Sequence, residues 1–168
     1  SSYEYLQQVA DAFAQRHPKI THWRQSRRMG EAQQREFLEQ FTETSAGIGF
    51  AVLGGAFAEG IDLPGKRLIG AFLATLGLPQ FNAVNEQISA RMNTLFEGQG
   101  YDYTYLYPGL QKVVQAAGRV IRTPEDEGVI HLIDDRFARG EVRRLLPTWW
   151  HVGLPPYSNS PNGPQSGT

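Results

Sequence analysis

The run Gln115-Ala116-Ala117-Gly118-Arg119-Val120-Ile121-Arg122 sets an amide, a glycine and two arginines within eight residues. Helical winding here predicts that Gln115, Arg119 and Arg122 share one face, because neighbours on a helix surface recur every three or four residues. Val113, Val114, Ala117, Val120 and Ile121 then form the apolar side. A glycine in a helix interior costs about 1 kcal/mol against alanine, so Gly118 points to close approach of another group to the backbone. Arginine is permanently charged and presents a rigid fork of donors, which suits a polyphosphate. The same run also fits an amphipathic helix whose arginines are merely solvated. Taken alone, it leaves both readings open.

Working outward, a second stretch, Gly54 to Gly65, reads GGAFAEGIDLPG and follows an apolar run, Gly47 to Leu53. Its glycines allow backbone to approach a ligand closely. Downstream of the first run stand Asp126, Gly128, an apolar run from Val129 to Ile133, and Asp134-Asp135-Arg136-Phe137. Together these segments resemble motifs V and VI of superfamily-two helicases, and specifically the XPD/DinG family of DNA helicases. Ser1-Ser2-Tyr3 resembles the end of that family's motif IV. The resemblance covers about residues 1 to 147.

The remaining pattern agrees with an α/β domain. A helix is predicted over Tyr3 to Arg16, with Leu6, Val9, Ala10 and Phe13 as its stripe, ended by Pro18. A short strand over Ile20 to Gln25, a helix over Glu31 to Glu43 and a strand over Gly47 to Leu53 follow. Leu68 to Leu76 has the length of a buried strand, and a helix is expected from Val84 to Phe96. The tyrosines at 101, 103, 105 and 107 alternate, and they are read as a loop entering the next helix through Pro108. A last strand, Val129 to Ile133, and a last helix, Arg136 to Leu146, complete the order. Strands alternating with helices argue for an open, mainly parallel sheet. The resemblance sharpens this to a RecA-like sheet with helices on both faces, the second lobe of a two-lobed motor. In that family a buried strand precedes the Ser-Ser-Tyr segment, so either the chain is a fragment or its sheet is short by one strand. Residues 1–152 are assigned to this lobe. Residues 153–168, rich in proline, glycine and serine, read as a disordered tail or linker.

Composition narrows the chemistry. The chain has 168 residues, 40% of them hydrophobic, a length suited to one domain with a real core. No apolar run reaches transmembrane length. Having no cysteine, the chain can form no disulfide, thiolate zinc site or iron–sulfur ligation of its own. The four histidines have no ligand spacing, so no metal site is expected. The net charge of −1 is uninformative, but its distribution is not: no acid lies between Asp11 and Glu31, where five basic residues surround Trp23. Basic side chains neutralise backbone phosphates without reading sequence, and an aromatic ring can stack on a base. Trp23 fits a core position equally well.

The resemblance implies roles for particular residues. Arg122 is the expected arginine finger, with Arg119 as a second phosphate contact and Gln115 between nucleotide and DNA. Gly60, Asp62 and Gly118 are expected at the nucleotide, Asp62 as an acceptor for its sugar. Ser2, Tyr3, Trp23, Arg24 and Glu59 are expected along single-stranded DNA. Ala58 stands where relatives often carry serine, which removes one hydroxyl contact. Gly60 to Lys66 also spells GIDLPGK, part of a phosphate-binding loop. Arg67 replaces its Ser/Thr, Pro64 removes a backbone donor, and a strand-like run follows instead of a helix, so that reading is rejected. The family further implies ATP with Mg2+ shared with a first lobe, an iron–sulfur cluster in that lobe of many members, and 5′-to-3′ unwinding. Repair or replication proteins are the implied partners. Location would be cytoplasmic and nucleoid-associated in a bacterium, and nuclear in a eukaryote. The lobe alone is expected to be inactive. The competing reading is a non-catalytic module that binds DNA or protein.

Overall fold

The first helix begins where a hydroxyl can stand in for a missing backbone partner. The computed structural model describes residues 2–54, 57, 63–122 and 126–153. In it Ser2 Oγ accepts from the Tyr5 amide at 3.2 Å and opens α1, Tyr3–Arg16. Leu6 and Ala10 turn its stripe inward. β1, Thr21–Arg24, and β2, Gly47–Phe50, pair in parallel, Thr21 opposite Gly47 and Arg24 opposite Phe50. The helix between them, α2, spans Glu31–Glu39, four residues shorter than its pattern predicts. Thr42 and Ser45 end it early: each side-chain oxygen accepts from the other's amide at 3.0 Å, a local alternative to helical bonding.

Both faces of β1 are covered. His22 meets Phe13 of α1 at a ring separation of 6.1 Å, while Trp23 meets Phe41 beyond α2 at 5.3 Å. A parallel pair with helices on either face is what this sequence order predicts, and here the strand residues are half-buried or exposed.

β3, Gly70–Leu73, pairs in parallel with β4, Val129–Leu132. Between them run α3, Ala83–Leu95, a π-helical turn over Asp102–Leu106, and α4, Tyr107–Ala117. The expected tyrosine loop is therefore helix. Pro108 has no amide to donate, and the Tyr107 amide reaches back to the Asp102 carbonyl, which widens the turn. Spacing by four then brings Tyr101 to Tyr105 at 5.5 Å and Tyr103 to Tyr107 at 5.1 Å. Tyr105 is 1% exposed, and its hydroxyl donates to Glu86 of α3. Burial and that carboxylate push the phenol up to about 12.

The main core lies between the β3–β4 pair and α4. Leu73, Leu76, Leu110, Val113, Ala117, Phe137, Val142 and Leu146 form it, with Ala71, Ile130 and Leu132 packed against it. The other face of this pair is open: Phe72, stacked on His131, is 62% exposed, and Val129 and Ile133 are exposed beside it. Among the described residues the expected sheet is thus two parallel pairs that share no ladder. The predicted last helix is a 3-10 turn, Asp135–Ala138, followed by a short α5, Gly140–Arg143. Arg139, extended at φ −69° and ψ 135°, separates the two. The proposed tail lies outside the described residues from 154 onward.

Candidate functional site

The arginine run is only half helical. α4 closes at Ala117, with Gly118 as its cap at φ −64° and ψ −6°. The Arg119 and Val120 amides bond to the Ala116 and Ala117 carbonyls, tightening the end to three-residue spacing. The one-face expectation therefore holds for no shared helix: Gln115 is exposed on the last turn, while Arg119 and Arg122 are half-buried beyond it. The β-branched pair Val120-Ile121 has little reason to prolong a helix past glycine. Close approach to Gly118 is also not seen among the described residues. A Cβ there would come within 4 Å only of the Val114 and Gln115 carbonyls of its own helix.

What fixes this turn is packing at the start of β4. Val120 is buried, and a Cβ on Gly128 would lie 2.3 Å from Val120 Cγ1. Gly128 also abuts Ile69, whose carbonyl accepts from the Val129 amide at 3.1 Å. Asp126 adds a second tie, its Oδ2 accepting from the Arg122 amide at 3.0 Å. The arginines thus stand beside the amino ends of β3 and β4.

The Gly54 to Gly65 loop is described at its two ends and at Phe57. It leaves β2 beyond its carboxyl end, where Gly54, at φ 87°, lies against Lys112 of α4. Leu53 packs at Gly77, which is at φ 67° beyond β3. Phe57 is buried against Phe37 of α2 at 4.7 Å, and Leu63 is buried near the loop's end. The chain then returns to Ile69, next to Gly128 and the arginine turn. Carboxyl-edge placement, the rule for ligands in open sheets, is seen where this loop starts, at Gly54. Glu59, Gly60 and Asp62, with Ala58, lie outside the described residues.

Gly65–Arg67 forms a 3-10 turn that leads into β3. Arg67 donates from Nε to the Phe41 carbonyl at 2.7 Å and from its terminal nitrogen to the Leu38 carbonyl at 3.4 Å. It caps the end of α2, where a cation is favoured.

Among the expected DNA residues, Ser2 is an exposed cap and Tyr3 is half-buried at the start of α1. Trp23 covers Gly47, where a Cβ would lie 2.5 Å from the indole ring. Arg24, on the opposite face of β1, pairs with Asp11 and donates to the Ala10 carbonyl at 3.2 Å. Gln25, which none of the motifs includes, is 2% exposed. Its Nε2 donates to Tyr3 Oη and its Oε1 accepts from the Val52 amide, both at 2.8 Å. A polar residue ending a strand was the available signal.

Beyond β4, Asp134 accepts from the amide, Nε and a terminal nitrogen of Arg136. That bonding holds the Asp134 carboxyl below its usual range and raises the Arg136 guanidinium. Among the described residues no three His, Cys, Asp or Glu side chains gather as a metal site.

Residues 1–153 match the family model described as the helicase C-terminal domain. The ATP-dependent DNA helicase chl-1 of Caenorhabditis elegans is 37% identical over 110 residues, covering 64% of this chain and 13% of that protein. Regulator of telomere elongation helicase 1 of Bos taurus is 34% identical over 118 residues, covering 64% and 10%. The general transcription and DNA repair factor IIH helicase subunit XPD of Arabidopsis thaliana is 32% identical over 103 residues, covering 60% and 13%. The matched part is thus about a tenth of these relatives' length. A solved apo XPD structure superposes with a TM-score of 0.66 at 20% identity, over 85% of this chain and 28% of that one, and so shares the RecA-like fold. With those sequence and fold relationships in hand, the chain belongs to the helicase C-terminal domain family, among helicases of the CHL1, RTEL1 and XPD type.

Proposed function

We propose that this chain is the second motor lobe of an ATP-dependent DNA helicase, closing on a first lobe around ATP and Mg2+. Arg122 serves as the arginine finger and Arg119 as a second contact to the phosphates. Gln115 lies between nucleotide and DNA, and Gly60, Asp62 and Gly118 line the nucleotide. Charge in phosphoryl transfer spreads over the transferred group's oxygens, and a finger contributes about 10³–10⁵ in rate. The carrying observation is the packed base of the arginine turn, with Val120 over Gly128 and the Arg122 amide on Asp126. Guanidiniums presented from a fixed base lose little freedom on meeting a phosphate.

Single-stranded DNA runs past Ser2, Tyr3 and Glu59 in this reading, with 5′-to-3′ movement. Arg24 joins that path only by releasing Asp11, and Trp23 only by leaving Phe41. The lobe holds half of the catalytic site and is inactive without the other half. A cluster, where the complete protein has one, belongs to the first lobe. Repair or replication proteins are its partners.

The test is Arg122→Ala in the complete motor. Nucleotide binding persists while DNA-stimulated hydrolysis falls by about 10³ or more; full turnover in the variant refutes the assignment. Pairing this lobe with a first lobe restores DNA-dependent hydrolysis, whereas a non-catalytic binding module restores none.

A further inference from the structure

Gln25 and Thr104 are the buried polar side chains among the described residues, and Gln25 has both ends of its amide bonded. Burying an amide is unfavourable unless its donors and acceptor find partners. The direction of this amide follows from chemistry. The Val52 amide can only donate, so the Gln25 oxygen faces it and the nitrogen faces Tyr3. The Gln25 backbone amide also donates to the Phe50 carbonyl at 2.9 Å, extending the β1–β2 ladder by one rung. The side chain is therefore fixed at its root and at both polar atoms.

The partners it joins lie far apart in sequence. Tyr3 belongs to the first turn of α1, in the segment assigned to the DNA path. Val52 is two residues before Gly54, where the glycine-rich loop begins against Lys112 of α4. Two bonds of 2.8 Å thus connect the start of α1 to the backbone that leads into the loop assigned to the nucleotide.

We propose that Gln25 is a positioning residue that couples DNA at the start of α1 to the nucleotide loop, through Tyr3 on one side and Val52 on the other. The inference rests on the motor reading above. Gln25 touches neither ligand. It sets the distance between two segments that do, so a shift of Tyr3 on DNA is passed to Val52 and onward to the loop. Coupling of this kind is read here as a ratio of activities; between binding sites the corresponding affinity factor is roughly 5- to 150-fold.

The experiment uses the complete motor and compares hydrolysis at saturating single-stranded DNA with hydrolysis in its absence. Saturation separates coupling from DNA affinity. Gln25→Met removes both bonds and lowers the ratio by roughly tenfold. Gln25→Glu keeps the acceptor for Val52 and lets the Tyr3 hydroxyl donate, so it stays within about threefold of the parent ratio. Tyr3→Phe cuts only the α1 side and gives the same loss as Gln25→Met, and the double variant is no worse than either single one. That non-additivity is not produced by a loss of stability alone. Gln25→Met lowering both rates by one common factor, or Tyr3→Phe leaving the ratio intact, overturns the proposal; the second holds even where the methionine variant fails to fold. A parent motor that DNA does not stimulate overturns the motor reading instead, and this inference with it.

Discussion

Val120 occupies the space that Gly128 leaves empty, with only 2.3 Å between Val120 Cγ1 and the position of a Cβ on that glycine. The neighbouring carbonyl of Ile69, 3.2 Å from the same point, closes the other side. Gly128→Ala therefore forces the arginine turn away from the start of β4. Overpacking of this kind costs about 1–3 kcal/mol, readable by denaturant unfolding. In the complete motor the variant also loses DNA-stimulated hydrolysis. Parent stability in Gly128→Ala would show that the turn is not held there.

Arg67 separates two interpretations of GIDLPGK. As a cap on α2, its loss in Arg67→Ala costs about 1–2 kcal/mol, because hydrogen bonds from a charged donor are lost. The KM for ATP in the complete motor stays at the parent value. A large rise in KM with stability unchanged would restore the phosphate-loop interpretation.

Tyr105 predicts an alkaline transition. Its folded pKa, about 12, is above the ordinary value of 10.0, so the folded state favours the protonated phenol. The stability this contributes is complete below pH 10 and is lost as pH rises toward 12. Unfolding midpoints across that window fall for the parent and fall less for Tyr105→Phe. Tyrosinate absorbance checks the titration directly.

Asp134 predicts the opposite dependence. Bonding to Arg136 lowers its folded pKa, so its contribution is present above the unfolded carboxylate pKa and fades as pH falls through the folded one. Asp134→Asn is destabilised near neutral pH and converges with the parent in acid. An equal difference at every pH would assign the effect to capping of the 3-10 turn instead.

The parts of the fold that follow from nearest neighbours were legible in advance. α1 has the predicted limits because its cap, stripe and terminating proline agree with one another. α2 and the tyrosine turn depart from their hydrophobic patterns at specific residues. Thr42 and Ser45 bond to each other, and Pro108 withholds a donor, neither of which hydrophobic spacing registers. The candidate site's residue types stand in the sequence, but their geometry does not. Arg119 and Arg122 lie together, yet on a turn beyond α4 whose position depends on Gly128, a contact across several residues of chain. Gln25 offers the sequence no more than its place at a strand end, because its two partners are 22 and 27 residues away. The described residues do not reach Glu59, Gly60 or Asp62.

The absence of a shared ladder between the two strand pairs has a mechanical consequence. Separating β1–β2 from β3–β4 breaks no strand-to-strand backbone bond among the described residues. Among the described residues, side-chain and loop contacts such as Leu53 at Gly77 span that seam. Slow hydrogen exchange should therefore sort the amides into two blocks with separate opening energies, and a pull on the glycine-rich loop would part the lobe along this plane before it unravels either pair.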